Sequence, residues 1–463
     1  MKQAIAIVFA VALAVCAFAQ QSTLPPDLRA NIDKTVNEAL ARSGAPSASI
    51  AVVRDGKIAY VHAYGSARLE PVIAASPEMR YSIGSISKQF TAAALLMLAE
   101  EKKLSIDDKV GKWLPDLTRA NDVTVRQILS MTSGYQDFWP QDYVMPMMMQ
   151  PVTAQEIVNG WAKKPLDFEP GTKWQYSNTN YVIAGMIVEK VSGKPLLEFL
   201  RERIFTPLHM TSVYDTDHAA LTPADPGRYL RYALGPLREA PKEGRGWMFA
   251  AGELAMTAHD LALWDISMID QTILEPASYR AMETEQLANG IGTRYGLGVS
   301  LQNAGTHRVV MHSGEVSGFT AFNQVYPDDR VAIAVLTNLD ATGASERIGS
   351  KIATLLFNTS DASRTKTFEQ AKAVYDALQH GRIDRSLFTS NANSYFTEQA
   401  VRDFASSLGP LGKPEDFADS GQDYRGGMTR RRFTITYPKT TLRVTEFIMP
   451  DGKIEQYQIA AAE

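Results

Sequence analysis

The stretch that decides the fold is residues 80–88, Arg80-Tyr81-Ser82-Ile83-Gly84-Ser85-Ile86-Ser87-Lys88. It ends in an S-x-x-K pattern, and the run Ala92 to Ala99 that follows is apolar nearly all round. Such a run predicts a buried helix, which we place over residues 85–104. Positions i and i+3 share a face at the start of a helix, so the Lys88 amine can reach the Ser85 hydroxyl. The helix N-terminus adds partial positive charge where a serine alkoxide would form.

A second S-x-x-K shows how weak the pattern is when it stands alone. Ser363-Arg364-Thr365-Lys366 matches it equally well but lies in a short polar stretch, which is typical of solvated surface. Ser85, in contrast, opens an apolar helix. The context therefore favours Ser85 over Ser363 as a nucleophile.

Two further short motifs bear on the same chemistry. Tyr176-Ser177-Asn178 lies in the middle of the chain, and His312-Ser313-Gly314 ends an apolar run that predicts a strand. Each has an ordinary reading when taken alone. Tyr176 is then a core tyrosine with a satisfied hydroxyl, Asn178 is a turn residue, and His312 is structural.

Taken in order, the three motifs resemble those of the serine β-lactamases, the penicillin-binding proteins and related esterases. The segments 129–134, 254–261 and 295–298 are also similar to this family, so the resemblance covers about residues 28–358. Tyr176 in the second motif is typical of the subgroup of class C β-lactamases, D-amino-acid peptidases and family VIII-type carboxylesterases. Two residues depart from the usual pattern, with Met131 where many relatives have His and Glu253 where many have Gly.

The resemblance implies acyl transfer through a covalent intermediate. Ser85 would attack an ester or amide carbonyl while Lys88 and Tyr176, as a coupled pair, remove its proton, and Tyr176 would then activate water. The backbone N–H groups of Ser85 and Glu315 would form the oxyanion hole. The substrate-binding residues would be Asn178, His312, Ser313 and Gly314.

Composition limits the other functions open to the chain. Of its 463 residues, 45% are hydrophobic and 21% are charged, as in ordinary globular proteins, and the net charge is -4. That charge gives no reason to expect a nucleic-acid partner. The histidines are scattered without metal-ligand spacing, so we expect no metal and no cofactor. The expected partner is a small ester, amide or peptide substrate, and the oligomeric state is left open.

The N-terminus has the pattern of a secretory signal peptide. A positive start at Lys2, a short apolar run and the ending Ala17-Phe18-Ala19 predict cleavage after residue 19. An anchoring helix is a weaker alternative because the run is short for a membrane span. Lipid attachment at Cys16, the only cysteine, is another, although Val15 fits poorly before a lipidated residue. We therefore expect a periplasmic or secreted protein without a transmembrane span.

Strand patterns at both ends of the first part of the chain, with helices between them, predict one antiparallel sheet assembled from distant segments. The hairpin signal Asp55-Gly56 supports the first pair of strands. The resemblance refines this to an α+β, β-lactamase-like sheet flanked by a helical region over residues 25–358. Residues 359–366 are polar and predict a linker, and residues 367–463 predict a small C-terminal α+β domain with three strands.

These observations together predict an exported serine hydrolase. The alternatives are a penicillin-binding receptor that is acylated only once and an inactive scaffold of the same fold. The substrate is open among β-lactam, ester and D-amino-acid peptide, because kinship of fold does not fix it. His312 stands where penicillin-processing relatives usually have Lys, and an imidazole is mostly neutral at neutral pH, which favours an esterase or D-amino-acid peptidase over a true β-lactamase.

Overall fold

The computed structural model describes residues 23–462 except 142, 361 and 426–427. The predicted signal peptide, residues 1–19, and Cys16 lie outside this range. The chain divides into two compact units, one of residues up to 302 with 308–351, and one of residues 303–307 with those from 352 onward. Within the described residues, every helix is too short or too polar to cross a membrane.

The α-helices are α1 (Pro26–Ser43), α2 (Ser87–Glu100), α3 (Val125–Leu129), α4 (Ala154–Ile157), α5 (Asn178–Ser192), α6 (Leu196–Leu200), α7 (Ala258–Asp270), α8 (Pro276–Met282), α9 (Ala344–Ser360), α10 (Ala362–Gln379), α11 (Ser390–Tyr395) and α12 (Glu398–Leu408). The β-strands are β1 (Ser47–Arg54), β2 (Lys57–Leu69), β3 (Val72–Ala74), β4 (Tyr81–Ser82), β5 (Tyr214–Asp215), β6 (Tyr229–Arg231), β7 (Leu237–Glu239), β8 (Leu254–Met256), β9 (Leu287–Ala288), β10 (Ile291–Gly292), β11 (Ser300–Ala304), β12 (His307–Val316), β13 (Phe319–Tyr326), β14 (Val331–Thr337), β15 (Asp416–Arg425), β16 (Met428–Tyr437), β17 (Thr440–Ile448) and β18 (Ile454–Ala461). Two π-helical turns, Val158–Ala162 and Arg201–Phe205, continue α4 and α6.

The main sheet of the first unit has the strand order β11-β12-β13-β14-β1-β2-β3. The first and last strands in sequence meet at its centre, where β1 pairs antiparallel with β14 and Ile50 stands opposite Val335. This confirms the prediction of one antiparallel sheet assembled from distant segments. Both central strands are buried almost throughout, which agrees with their nearly continuous apolar sequences.

A buried polar network fixes helix α2 against the sheet. Gln89 Nε2 donates to Asn323 Oδ1 on β13 at 3.1 Å, and Trp264 Nε1 on α7 donates to Gln89 Oε1 at 2.7 Å. Asn323 Nδ2 in turn donates to Asp265 Oδ1 at 2.8 Å. Buried polar groups have to be paired in this way, so the network sets how α2 rotates and slides against its neighbours. Gln89 directly follows Lys88, and the same constraint therefore orients the predicted active-site lysine.

The start of α2 differs in detail from the predicted helix over residues 85–104. A 3₁₀ turn covers Gly84–Ile86, the α-helix begins at Ser87, and it ends at Glu100. Lys102 has a positive φ of 58°, which takes the chain out of the helix. Ser85 thus lies in a tight turn directly before the helix, where its side chain is partly exposed while the residues on either side are buried.

The second unit packs helices on a four-stranded antiparallel sheet, β15-β16-β17-β18. Its core includes Phe433 on β16, Val444 on β17 and Tyr457 on β18. The prediction missed β15 because its sequence is polar and irregular. It is an edge strand with a bulge between Asp419 and Gly421, so it needs no regular alternation of apolar residues.

Residues 359–366 were predicted to form an irregular linker, whereas the structure has helix there. Helix α9 runs to Ser360 and α10 begins at Ala362, so the described part of this polar segment is helical. Its Ser- and Thr-rich composition concealed that tendency. The boundary between the predicted domains, residues 25–358 and 367–463, stays a prediction.

Candidate active site

Ser85 and Lys88 come together as their spacing predicts. Lys88 Nζ lies 3.0 Å from Ser85 Oγ, in hydrogen-bonding contact. The other two partners of the amine are Asn178 Oδ1 at 2.8 Å and the Ala251 carbonyl oxygen at 2.7 Å. Both of these oxygens can only accept. A neutral amine would therefore give its two hydrogens to them and direct its lone pair at the Ser85 hydroxyl.

Burial favours the neutral form of the Lys88 amine. The Lys88 side chain is fully buried, and loss of hydration lowers its pKa from 10.5 to about 7. The negative charges of Asp137 and Glu253 act in the opposite direction and limit this decrease. Lys88 is thereby placed to exchange a proton near neutral pH, as a general base requires.

Tyr176 is the third member of the group. Its ring centroid is 5.1 Å from Lys88 Nζ, and its hydroxyl is hydrogen-bonded to Ser85. Burial raises its pKa well above the ordinary value of 10, despite that hydrogen bond. The phenol therefore keeps its proton at neutral pH, which suits it to donate a proton and leaves Lys88 as the better base.

Asn178 stands at the start of α5 and is fixed by a residue that the sequence analysis missed. Asp137 Oδ1 accepts from the Asn178 backbone N–H at 2.9 Å, and the two Asp137 oxygens lie 3.3 and 3.4 Å from Asn178 Nδ2. Because the carboxylate accepts from the amide NH₂ group, Oδ1 has to face Lys88. Asp137 thus orients the side chain that holds the lysine, and its only signal in the sequence was its position shortly after Ser133-Gly134.

The glycines at positions 84 and 314 allow the two halves of the site to approach each other. A Cβ on Gly84 would lie 2.7 Å from the Glu315 backbone nitrogen, and Gly84 has a φ of +52°. A Cβ on Gly314 would overlap the carbonyl oxygen of Ile83 and lie 3.2 Å from the Ser85 nitrogen. Strand β12 therefore runs directly beside the turn that carries Ser85. This places the backbone N–H groups of Ser85 and Glu315 on the two facing segments, as an oxyanion hole requires.

His312 lies on β12 and is almost fully buried. Burial lowers its pKa from 6.5 to about 4, so the imidazole is neutral at neutral pH. Its Nδ1 contacts the Ser313 carbonyl oxygen at 2.6 Å and its Nε2 contacts the Tyr295 hydroxyl at 3.0 Å. The side chain of Ser313 is exposed. A role for either residue in substrate binding stays a prediction, with Ser313 the more accessible of the two.

These groups line one side of a cavity of about 570 Å³. Aromatic side chains form much of its wall, among them Phe138, Trp139, Tyr143, Tyr176 and Trp247. Three carboxylates also line it, those of Asp137, Glu315 and Asp340, whereas the described lining residues include neither Lys nor Arg. The cavity thus has a mixed aromatic and polar lining, with carboxylates but no cationic side chain among its described residues. It is large enough for a small acyl compound.

The two departures from the usual family pattern both contact the site. Met131 Sδ accepts from the Ser177 backbone N–H at 3.4 Å, and the Met131 carbonyl accepts from the Gln175 N–H at 3.0 Å, so Met131 supports the segment that carries Tyr176. Glu253 is buried, and burial raises its pKa to about 8. In its ionised form it favours protonated Lys88. Neither role was predicted from the sequence.

The described residues contain no cluster of three or more His, Cys, Asp or Glu side chains that could hold a metal ion. A serine, a lysine with a lowered pKa, a tyrosine and two closely facing backbone segments are the groups that acyl transfer through a serine would use.

Replacing Gly314 with alanine should test the close approach of β12 to Ser85. The added methyl has to displace Ile83 or the strand, which costs about 1–3 kcal/mol of stability. It also moves an expected oxyanion donor, and we expect hydrolysis of 4-nitrophenyl butyrate to fall by about 100-fold or more. Gly343→Ala is the matched control because a Cβ there would meet nothing within 4 Å. Unchanged rates for Gly314→Ala would contradict the proposed geometry.

Replacing Asp137 with asparagine should change both the rate and its pH dependence. Loss of the orienting carboxylate is expected to lower kcat/KM by about 10- to 100-fold, the cost of a small misplacement of a catalytic group. The charge of Asp137 raises the pKa of Lys88. Its removal should therefore move the midpoint of the acid limb of the kcat/KM profile to lower pH. Asp116→Asn, at an exposed position, is the control, and a midpoint that moves upward would overturn this account of Lys88.

The chain is similar in sequence to several known proteins. A family model described as Beta-lactamase matches residues 32–355. D-aminopeptidase of Brucella anthropi is 30% identical over 343 residues, which cover 73% of this chain and 63% of that protein, so the chain spans less than two thirds of that relative's length. Penicillin-binding protein 4* of Bacillus subtilis is 27% identical over 401 residues, or 82% of this chain and 87% of that protein.

A similar solved structure is that of a D-stereospecific amidohydrolase from Streptomyces sp.. Its sequence is 27% identical, the TM-score is 0.61, and the match covers 69% of this chain and 96% of that one.

Proposed function

The chain belongs to the β-lactamase family of serine hydrolases, and from this premise we propose that it cleaves small amides, peptides or esters through an acyl-enzyme on Ser85. The observation that carries the proposal is the contact of 3.0 Å between Ser85 Oγ and a buried Lys88 whose pKa is lowered to about 7. The partners of this buried amine are a hydroxyl, an amide oxygen and a backbone carbonyl. Burying a lysine without a carboxylate in contact costs stability, so a purely structural role does not explain the arrangement. A general base needs it.

The proposed steps combine the contacts described above with the acyl-transfer chemistry that the resemblance implies. Neutral Lys88 takes the Ser85 proton as Oγ bonds to the substrate carbonyl carbon, and the backbone N–H groups of Ser85 and Glu315 hold the oxyanion that forms. The carbonyl–heteroatom bond then breaks. Tyr176 gives its proton to the leaving nitrogen or oxygen and is reprotonated from Lys88. A water then loses its proton to the same pair and attacks the acyl carbon. The bond from that carbon to Ser85 Oγ breaks, and the pair returns the proton to Oγ, which restores free Ser85.

The charges around the cavity favour substrates that carry no carboxylate. His312 is neutral, three carboxylates line the walls, and the described lining residues carry no cationic side chain. A substrate carboxylate would be desolvated there without a counter-charge. We therefore propose neutral esters and amino-acid amides or peptides as substrates in preference to β-lactams. The name D-aminopeptidase of one relative agrees with this preference.

A substrate panel tests the proposal. Purified protein should turn over 4-nitrophenyl butyrate or D-alanine 4-nitroanilide with a higher kcat/KM than nitrocefin at neutral pH. A stable adduct without turnover would indicate the receptor, and no adduct at all would indicate the scaffold. Faster hydrolysis of nitrocefin than of the other two would make β-lactamase the correct activity.

We also propose that the protein is exported to the periplasm or the medium. The support is the pattern of residues 1–19, with its positive start, apolar run and small-residue ending. Mass spectrometry of the N-terminus of protein isolated from an extracytoplasmic fraction should find Gln20 as the first residue. A lipidated Cys16 would show lipoprotein processing in its place.

A further inference from the structure

Tyr295 is a buried tyrosine in the segment 295–298 that the proposed mechanism does not use. It is 2% exposed, and its ring meets His312 edge-on with the centroids 5.9 Å apart. Its hydroxyl lies 3.0 Å from His312 Nε2. The phenol therefore touches the one imidazole in the wall of the cavity but is not itself among the cavity's lining residues.

The partners of the two His312 nitrogens determine its tautomer. The Ser313 carbonyl can only accept, so Nδ1, at 2.6 Å from it, carries a hydrogen. In the neutral ring Nε2 is then a lone pair, and the Tyr295 hydroxyl has to be the donor in the 3.0 Å contact. Both nitrogens are thus occupied, and neither offers an N–H group to a ligand.

We propose that Tyr295 is a specificity-determining positioning residue, which holds His312 neutral by donating to Nε2 and so denies a substrate carboxylate any imidazole N–H or positive charge. The inference rests on the proposed function, whose substrate preference it explains. In relatives with Lys at this position a cation stands in the same place. In this chain an imidazole occupies that place, and its acceptor nitrogen, Nε2, already accepts from the Tyr295 hydroxyl.

Apart from the Ser313 carbonyl, the groups around His312 also favour its neutral form. Lys88 on α2 disfavours a second positive charge, and burial disfavours any charge on the ring. Tyr176, with its ring centroid 6.4 Å away, and Tyr181 on α5, which adjoins Tyr295, are neutral phenols at neutral pH. The Ser313 carbonyl is the group that favours protonation. Protonating Nε2 therefore requires the Tyr295 hydroxyl to stop donating to that nitrogen and to turn its hydrogen elsewhere. Donation to the neutral form thus opposes the charged form.

Replacing Tyr295 with phenylalanine removes the donor and leaves the acceptor. A neutral hydrogen bond is worth about 1 kcal/mol, so the fraction of cationic His312 should rise by up to about 5-fold at mildly acid pH. The measurement is kcat/KM for mono-4-nitrophenyl glutarate divided by that for 4-nitrophenyl pentanoate, which differ in one carboxylate. Protonation of Lys88 affects both substrates and cancels in the ratio.

We expect this ratio to rise by up to about 5-fold in Tyr295→Phe near pH 5.5 and to stay unchanged near pH 8.5, where the imidazole is neutral in either protein. Tyr279→Phe, which alters another buried tyrosine, should leave the ratio unchanged at both pH values. A ratio that does not change in Tyr295→Phe would overturn the role assigned to Tyr295.

The tautomer can be measured without any turnover. In wild-type protein labelled with [¹⁵N]histidine, and with His312→Gln used to assign the signal, Nδ1 should show the shift of a protonated nitrogen and Nε2 that of a hydrogen-bonded lone pair. A protonated Nε2 would overturn the proposal even if Tyr295→Phe failed to fold. If neither ester were hydrolysed, the proposed function would fall, and the nitrogen shifts would still decide the role of Tyr295.

Discussion

Replacing Ser85 with alanine is expected to lower kcat/KM for 4-nitrophenyl butyrate by about 10⁴-fold or more, because the covalent route is lost with the hydroxyl. Ser85 lies in a tight turn with its side chain partly exposed to the cavity, and alanine fits the same turn without strain. The variant should therefore fold as the wild type does. A fluorophosphonate probe should add its mass to the peptide that contains Ser85 in wild-type protein and to none in the variant.

Ser363→Ala is the matched control, since Ser363 opens the second S-x-x-K of the chain. It should label and turn over substrate like the wild type. If labelling persisted in Ser85→Ala, or was lost in Ser363→Ala, the nucleophile would lie elsewhere and the site described here would have to be abandoned.

Replacing Lys88 with arginine is expected to lower kcat/KM by about 10³-fold, within the range for loss of a general base. Arginine keeps the positive charge, but with a pKa above about 12 it cannot become neutral. In the wild type the proposed base is the neutral amine, which predominates above the Lys88 pKa of about 7. The rate should therefore rise with pH through about 7 and fall below it. Lys88→Arg should show no such rise.

Lys366→Arg, in the second S-x-x-K, should keep the wild-type rate and pH profile. A wild-type profile with no inflection near neutral pH would show that Lys88 titrates elsewhere. An active Lys88→Arg would show that another group removes the Ser85 proton.

Local patterns predicted the parts of the site that depend on neighbours in sequence. Ser85 and Lys88 are three residues apart at the start of a helix, so helical geometry alone brings them together. The antiparallel sheet assembled from distant segments was also predicted, because the strand patterns at both ends of the first part of the chain are visible in the sequence.

Contacts between distant segments could not be predicted in this way. Asp137 and Asn178 are 41 residues apart, and Tyr295 and His312 are 17 apart, with chain reversals in between. Asp137 follows the family-like segment 129–134, and Tyr295 begins the family-like segment 295–298, but neither pattern assigns a contact to the residue. The depth at which Lys88 is buried, which lowers its pKa, likewise depends on how α2 packs against the rest of the unit.

Because β1 pairs with β14 at the centre of the sheet, the first unit can complete its fold only late in synthesis. Ser85 and Lys88 leave the ribosome early, but Gly314 and the strand that pairs with β1 follow more than 200 residues later. Until residue 337 has emerged, β1 lacks its central partner, and such long-range pairing forms slowly. Lys88 is then solvated, with an ordinary pKa of about 10.4, and stays protonated. The site is therefore incomplete in the nascent chain, and Lys88 can serve as the proposed base only when nearly all of the first unit has been made.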